Sequence, residues 1–81
     1  MSNLLIRFWF STEKGLGIGV TAYSIEDAIA VIQAQESAMR YGPNFEEFIE
    51  DIDVQELDQG HVVPNMGVCT QRGVWFPNLN Y

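Results

Sequence analysis

Two stretches near the start of the chain place an apolar residue at every second position, and this alternation constrains the fold more than any other feature. It runs from Leu4 to Phe10 and again from Leu16 to Ala22. A period of two residues is typical of β-strands that bury one face. Because the turn-forming stretch 11–15 joins the two, they predict a β-hairpin whose wholly apolar face another element must cover.

The glycines in the second stretch favour a structural explanation. "GLGIG" at 15–19 lacks the Gly-Lys-Ser/Thr ending of a P-loop and the third glycine of a dinucleotide-binding fingerprint. Gly17 and Gly19 instead share one face of the predicted strand, where an aromatic ring such as that of Trp9 can lie across them. We therefore predict no phosphate site at these glycines.

A helix is predicted over about 24–41. Ser24 is a favourable N-cap with Asp27 three residues later, and apolar residues follow at helical spacing as far as Met39. Gly42 ends the helix, because glycine readily adopts the left-handed conformation after a last turn, and the next residue is proline. The apolar stripe of this helix is expected to cover the apolar face of the hairpin.

The segment 45–54 carries a mixed pattern. Phe45, Phe48 and Ile49 are spaced as in a helix, whereas the β-branched residues toward its end favour a strand. We predict a short helical turn over 44–48 that leads into a strand over 49–54.

A last strand is predicted over 72–77, where "RGVWFP" ends in a proline. The chain 1–81 then reads as a single α+β domain. Its sheet has three or four mostly antiparallel strands, with one main helix packed on one face.

The net charge of −7 on 81 residues excludes several classes of partner. Nucleic acid and anionic membranes both require a surface rich in Lys and Arg, so neither is expected to bind. A basic protein would instead be attracted.

The N-terminal residues lack the features of a signal peptide, and a lone cysteine favours a reducing compartment, so we expect a cytoplasmic protein.

His61 is the single histidine and Cys69 the single cysteine of the chain. Structural zinc requires four Cys- or His-type ligands, and a thiolate nucleophile requires nearby positive charge, which this acidic chain does not offer. We therefore expect no metal, no cofactor and no catalytic activity. A small enzyme or metal-dependent module centred on His61, Asp58 and Cys69 remains the alternative. The stretch 57–67 around His61 is instead predicted to be a structural turn that positions the last strand. The residues that form this turn are Asp58, His61, Pro64, Asn65 and Gly67.

Seven of the eleven acids lie within thirteen residues, and no Lys or Arg stands between Arg40 and Arg72. Calcium binding is disfavoured because the EF-hand pattern with its central glycine is absent, and a chain this short offers little cleft for glycoside chemistry. A solvated face is one explanation. The sharper one is a surface that binds a basic protein through Glu46, Glu47, Glu50, Asp51, Asp53 and Glu56, beside Asp58 and the apolar anchors Phe45, Phe48 and Ile49.

The second sheet face is predicted to carry Arg7, Trp9, Tyr23 and Trp75. Tryptophan, tyrosine and arginine often supply interface energy, so Trp9 and Trp75 are candidate partner-binding residues. Alternatively, a tail segment or the second subunit of a homodimer covers this face.

The stretch from Leu57 to Val68, "LDQGHVVPNMGV", followed by "RGVWFP" at 72–77, resembles a widespread set of short bacterial proteins without assigned activity. The stretch "GVTAYSIEDA" at 19–28 is similar to their helix start. The resemblance implies bacterial origin and a small α+β domain, and it implies no catalytic residues. Such proteins often have proline where Cys69 stands, which implies that the thiol is not essential.

Small size, acidic charge and the lack of a catalytic set together favour a binding protein. The concrete hypothesis is an immunity protein or inhibitor that occludes a basic bacterial toxin such as a nuclease, its acids standing in for substrate phosphates. A homodimeric accessory domain that uses the aromatic sheet face is a further alternative.

Overall fold

The computed structural model describes residues 4–15 and 17–77, and all structural statements concern this part of the chain. Its four strands form one antiparallel sheet in the order β3-β1-β2-β4. The α+β fold predicted from the sequence is therefore confirmed. The elements, in chain order, are β1 (Ile6–Thr12), β2 (Ile18–Ala22), α1 (Ile25–Gln33), α2 (Glu36–Met39), β3 (Pro43–Glu50) and β4 (Gly73–Phe76), with 3-10 turns at Val54–Glu56 and Val63–Asn65.

The predicted hairpin forms the centre of the sheet. β1 and β2 pair from Ile6 with Ala22 to Phe10 with Ile18, so alternate apolar residues of both strands share one face. Helix α1 covers that face, mainly over β2 and β4. The main core lies between them, and its fully buried side chains are Phe8, Phe10, Ile18, Val20, Ala22, Ala28, Ile32 and Ala38.

The helical segment begins as predicted but is broken in the middle. The Ser24 hydroxyl accepts a hydrogen bond from the Asp27 N–H at 3.0 Å, which caps α1. The prediction of one helix over 24–41 is wrong, because Gln35 is extended between α1 and α2. Continuing the stripe of Ala28, Val31 and Ile32 would turn the polar Gln35 inward. The break places the fully buried Ala38 there instead.

The prediction for the segment after the helices is also wrong. Residues 44–48 form no helical turn, since β3 spans Pro43–Glu50 and pairs with β1. Phe48 lies opposite Phe10, while the next pairing joins Pro43 to Thr12, so β3 bulges in between. The bulge brings Phe45 and Phe48, three residues apart, onto the same ring of Phe10 at centroid distances of 5.9 and 5.5 Å. A helical spacing is thus satisfied by an irregular strand.

The second sheet face is covered by the loop between β3 and β4. Ile52, Leu57 and Val62 of this loop are buried against Trp75 and Phe76 and form a second apolar cluster. Trp9 packs on the cluster from β1. The loop therefore covers Trp75 and part of Trp9, as the tail-segment alternative expects, whereas Tyr23 stays 49% exposed. The described part of the molecule has helices on one side of the sheet and an irregular layer on the other.

The last strand lies beside β2, with Val20 opposite Val74 and Gly19 opposite Phe76. Before it, the main-chain N–H of Gly67 donates to the carbonyl of Trp75 at 2.6 Å, so the preceding loop follows β4. No helix within the described ranges has the length and apolar character needed to cross a bilayer.

Candidate functional site

The seven clustered acids all lie exposed along β3 and the loop that follows it. β3 stands at the end of the sheet, and among the described strands β1 alone pairs with it. We call this surface the acidic edge. It consists of Glu46, Glu47, Glu50, Asp51, Asp53, Glu56 and Asp58.

Local hydrogen bonds shape the start of the acidic edge. The side-chain oxygen of Asn44 accepts from the Glu46 N–H at 2.9 Å, and its amide nitrogen donates to Glu47 Oε2 at 3.2 Å. This side-chain turn lies within the bulge of β3. It orients two neighbouring glutamates at the beginning of the edge.

The chain changes direction at Asp51. Its φ of 59° lies in the left-handed region, which an aspartate tolerates better than most residues other than glycine. The next residue, Ile52, donates its N–H to the Arg7 carbonyl at 3.1 Å and accepts from Arg7 Nε at 2.8 Å. The turn thereby places the Ile52 side chain under the sheet and leaves the carboxylate of Asp51 exposed.

Apolar groups accompany the acids. Phe48 is 37% exposed and Ile49 is 50% exposed, on opposite faces of β3. Phe48 lies on the helix side against Phe8 and Phe10. Ile49 lies opposite Trp9 on the loop side, at the border of an open cleft of about 190 Å³. The two partly exposed apolar side chains therefore lie between acids on both sides along the edge.

Asp58 organises the turn that contains His61. Its Oδ1 accepts from the main-chain N–H groups of Gly60 and His61 at 2.9 and 3.0 Å. Its Oδ2 lies 3.1 Å from His61 Nδ1. These hydrogen bonds, led by that from Gly60, lower the pKa of Asp58. The Asp58 carbonyl also accepts from Val62 and Val63, which leads the chain toward its next buried residue, Val62.

The groups considered for catalysis differ in their surroundings. The His61 side chain is 75% exposed, whereas Cys69 is half-buried against the second cluster. The Cys69 carbonyl accepts from the Thr21 hydroxyl at 2.6 Å and thus links the loop to β2. Within residues 4–15 and 17–77, no group of three or more His, Cys, Asp and Glu side chains could hold a metal ion.

The two tryptophans predicted to contact a partner are both packed against other side chains, to different extents. Trp75 is 1% exposed, so it is not a surface contact residue in this fold. Trp9 is half-buried and stacks on Phe76 with ring centroids 5.5 Å apart. It still lines the cleft beside Ile49. Of the two, only Trp9 is placed where a partner could reach it.

Sequence reasoning did not identify the rest of the cleft. Leu57 and Val62 join Trp9, Ile49 and Ile52 in its lining. Their signal is faint: Leu57 stands alone between two acids, and Val62 belongs to a pair of valines between His61 and Pro64. The ion pair between Asp27 and Arg72 was also missed, because 45 residues separate its partners.

No protein-family model matches the chain, and neither curated proteins nor solved structures show a significant match.

Proposed function

We propose that this chain is a non-enzymatic binding domain whose acidic edge docks onto a basic protein. The observation that carries the proposal is the exposure of all seven acids along β3 and the loop that follows it, next to the partly exposed Phe48 and Ile49. Among the described strands, only β1 pairs with β3. Exposed carboxylates attract and orient a basic partner, while the apolar side chains supply surface from which water is excluded on binding.

The charge favours a basic partner over a second copy of the chain. Two copies meeting at this edge would bring acid against acid, which is unfavourable. The concrete function is that of an immunity protein or inhibitor that occludes a basic toxin such as a nuclease. The carboxylates would occupy the basic surface that otherwise receives phosphates.

Variants in which glutamine replaces glutamate test the proposal. The edge variant carries Glu46→Gln and Glu50→Gln, and the matched control carries Glu26→Gln and Glu36→Gln in the helices, so both lose two negative charges. Each is used with the wild type to capture proteins from the source organism, followed by quantitative mass spectrometry.

We expect wild type and control to recover the same Lys- and Arg-rich protein, and the edge variant to recover several-fold less. Addition of the wild-type chain to that purified protein should inhibit it at a one-to-one ratio. Equal recovery by the two variants, or recovery of no basic protein by the wild type, would contradict the proposal.

A further inference from the structure

The two edges of the sheet differ in how they are covered. β4 has four residues, and the loop before it already bonds to the Trp75 carbonyl. β3 has eight residues, and within the described ranges no strand lies on its outer side. Helix α1 packs mainly over β2 and β4, at a distance from this edge. β3 pairs with β1 on its inner side only, and its regular part over 48–50 presents outward main-chain donors and acceptors that another extended chain can use.

The open cleft of about 190 Å³ adjoins this edge on the loop side. Its apolar lining includes Trp9, Ile49, Ile52 and Leu57. Two carboxylates, those of Glu56 and Asp58, also border it. The cleft therefore combines an apolar floor, an aromatic ring and negative charge.

An arginine side chain matches this combination. Its aliphatic stem can pack on isoleucine and leucine, and its planar guanidinium can interact with the tryptophan and with carboxylates. The Asp58 carboxylate is held in place by Gly60 and His61, so one partner for the guanidinium is already oriented. A neutral side chain would leave the carboxylates without a counter-charge.

Strand pairing would deliver such a side chain to the cleft. In an antiparallel ladder, residues directly opposite each other project on the same face. The residue opposite Ile49 on an added strand would project on the loop side, as Ile49 does beside Trp9. From there a long side chain can reach over Ile49 into the cleft.

We propose that β3 binds an extended segment of the basic partner as a fifth strand, with an arginine of that segment in the cleft beside Ile49. This inference rests on the proposed function and names the mode of recognition. It commits to a segment of a basic protein rather than a second copy, because the facing acids of a second copy would repel.

Synthetic peptides test the mode without knowledge of the partner. The probe is a capped nonapeptide that alternates threonine and valine, with arginine at the centre and lysine at each end. Two N-methylated isomers carry the methyl groups on alternate amides, one set for each edge of the peptide strand. A fourth peptide replaces the arginine by citrulline, which keeps the shape but removes the charge.

Binding is measured by titration of ¹⁵N-labelled full-length protein. We expect saturable shifts in β3 and in residues around the cleft, with one N-methylated isomer losing at least about tenfold in affinity through its blocked hydrogen bonds. The other isomer should retain binding, because its methyl groups face away from β3. Loss of the same size in both isomers, or in neither, would overturn strand addition.

A side-chain variant tests the cleft. Glu56→Gln alters an exposed residue and should weaken the arginine peptide by about two- to fivefold, the range of a surface ion pair, while leaving the citrulline peptide unchanged. Glu36→Gln on α2 is the matched control and should alter neither. Equal binding of arginine and citrulline peptides would overturn the assignment of the cleft.

The two proposals can fail separately. If the arginine peptide binds but methylation has no edge preference, the inference is overturned while the acidic edge remains a docking surface. If no peptide binds, although the Glu46 and Glu50 variants lose the natural partner, the inference is overturned and the proposed function stands. If those variants lose nothing, the proposed function is overturned whatever the peptides do.

Discussion

Two glycines, Gly17 immediately before β2 and Gly19 within it, allow tryptophan rings to lie directly on the main chain. A Cβ built on Gly17 would stand 2.6 Å from the Trp9 ring, and one built on Gly19 would overlap the ring of Trp75. Trp9 and Trp75 are themselves neighbours, with ring centroids 6.0 Å apart. The sequence predicted that an aromatic ring could cover these glycines, and the close contacts explain why a larger residue would not fit.

Gly19→Ala should therefore be strongly destabilising. We expect a loss of about 2–3 kcal/mol in the free energy of unfolding, because the added methyl group forces Trp75 out of a closely packed cluster. Urea unfolding followed by tryptophan fluorescence measures the change. Gly60→Ala is the control, since its nearest neighbour would be Asp58 Oδ1 at an ordinary contact of 3.5 Å, and it should change stability by less than about 0.5 kcal/mol. Similar losses in both variants would contradict the proposed packing.

Phe45 and Phe48 show where reasoning from residue spacing reaches its limit. Their separation of three residues is typical of a helix face, yet both rings contact Phe10 from a strand. The bulge that makes this possible depends on Asn44 and on pairing with β1, which lies more than thirty positions earlier in the chain. Spacing reports which side chains share a face, and different backbones can satisfy it.

The start of α1 is attached to the beginning of β4 by a two-pronged ion pair. Arg72 donates from Nε and Nη2 to the two oxygens of Asp27, at 2.9 and 2.6 Å. Asp27 Oδ2 also accepts from the Tyr23 N–H. These hydrogen bonds, led by those from Arg72, lower the pKa of Asp27 from 3.8 to about 2. One carboxylate thus joins the helix cap to the last strand.

The stability from this carboxylate should depend on pH in the acid range. Because the folded-state pKa lies below the unfolded value, the contribution is present above about pH 4 and is lost as the pH falls through about 2. We expect Asp27→Asn to be less stable than wild type by about 1 kcal/mol near pH 6, a value reduced for solvent screening, with the difference shrinking steadily as the pH falls from about 4 through about 2. Unfolding by urea across this range measures it. A difference that stays constant with pH would show that Asp27 stabilises the fold without its charge.

The helix break and the course of β3 were less predictable than the hairpin, and the reason is the range of the interactions involved. The hairpin follows from alternation and a short turn, both local in sequence. The break at Gln35 depends on which side chain can turn toward a core built by β1 and β2. β3 takes its partner from the start of the chain, and local pattern does not encode that choice.

The excess of acids should influence how quickly a partner binds. With −7 on 81 residues and seven exposed acids along β3 and the loop after it, the field of the chain would attract the proposed basic partner toward the acidic edge. We expect the association rate constant for the basic partner to fall by about tenfold or more from about 0.02 to about 0.5 M NaCl, with a smaller change in the dissociation rate constant. Stopped-flow fluorescence of Trp9 and Trp75 gives both constants. An association rate that does not vary with salt would contradict steering by charge.

The acids of the acidic edge were predictable from the sequence, but the cleft beside them was not. A cluster of carboxylates is visible in any sequence, and their exposure follows from the cost of burying charge. The cleft depends on how the loop folds back beneath the sheet, where Arg7 binds the main chain of Ile52. That contact joins residues 45 positions apart, and it holds the loop where its apolar side chains pack near Trp9.

The irregular layer under the sheet has a consequence for synthesis on the ribosome. The hairpin and both helices are encoded first, so most of the helix-side core can assemble before β3 and β4 are made. Trp9 and the glycine face of β2 acquire their cover only when Trp75 and Phe76 have been translated. A nascent chain that stalls before those codons would display an apolar tryptophan-bearing face, which is the kind of surface that chaperones bind and that drives aggregation.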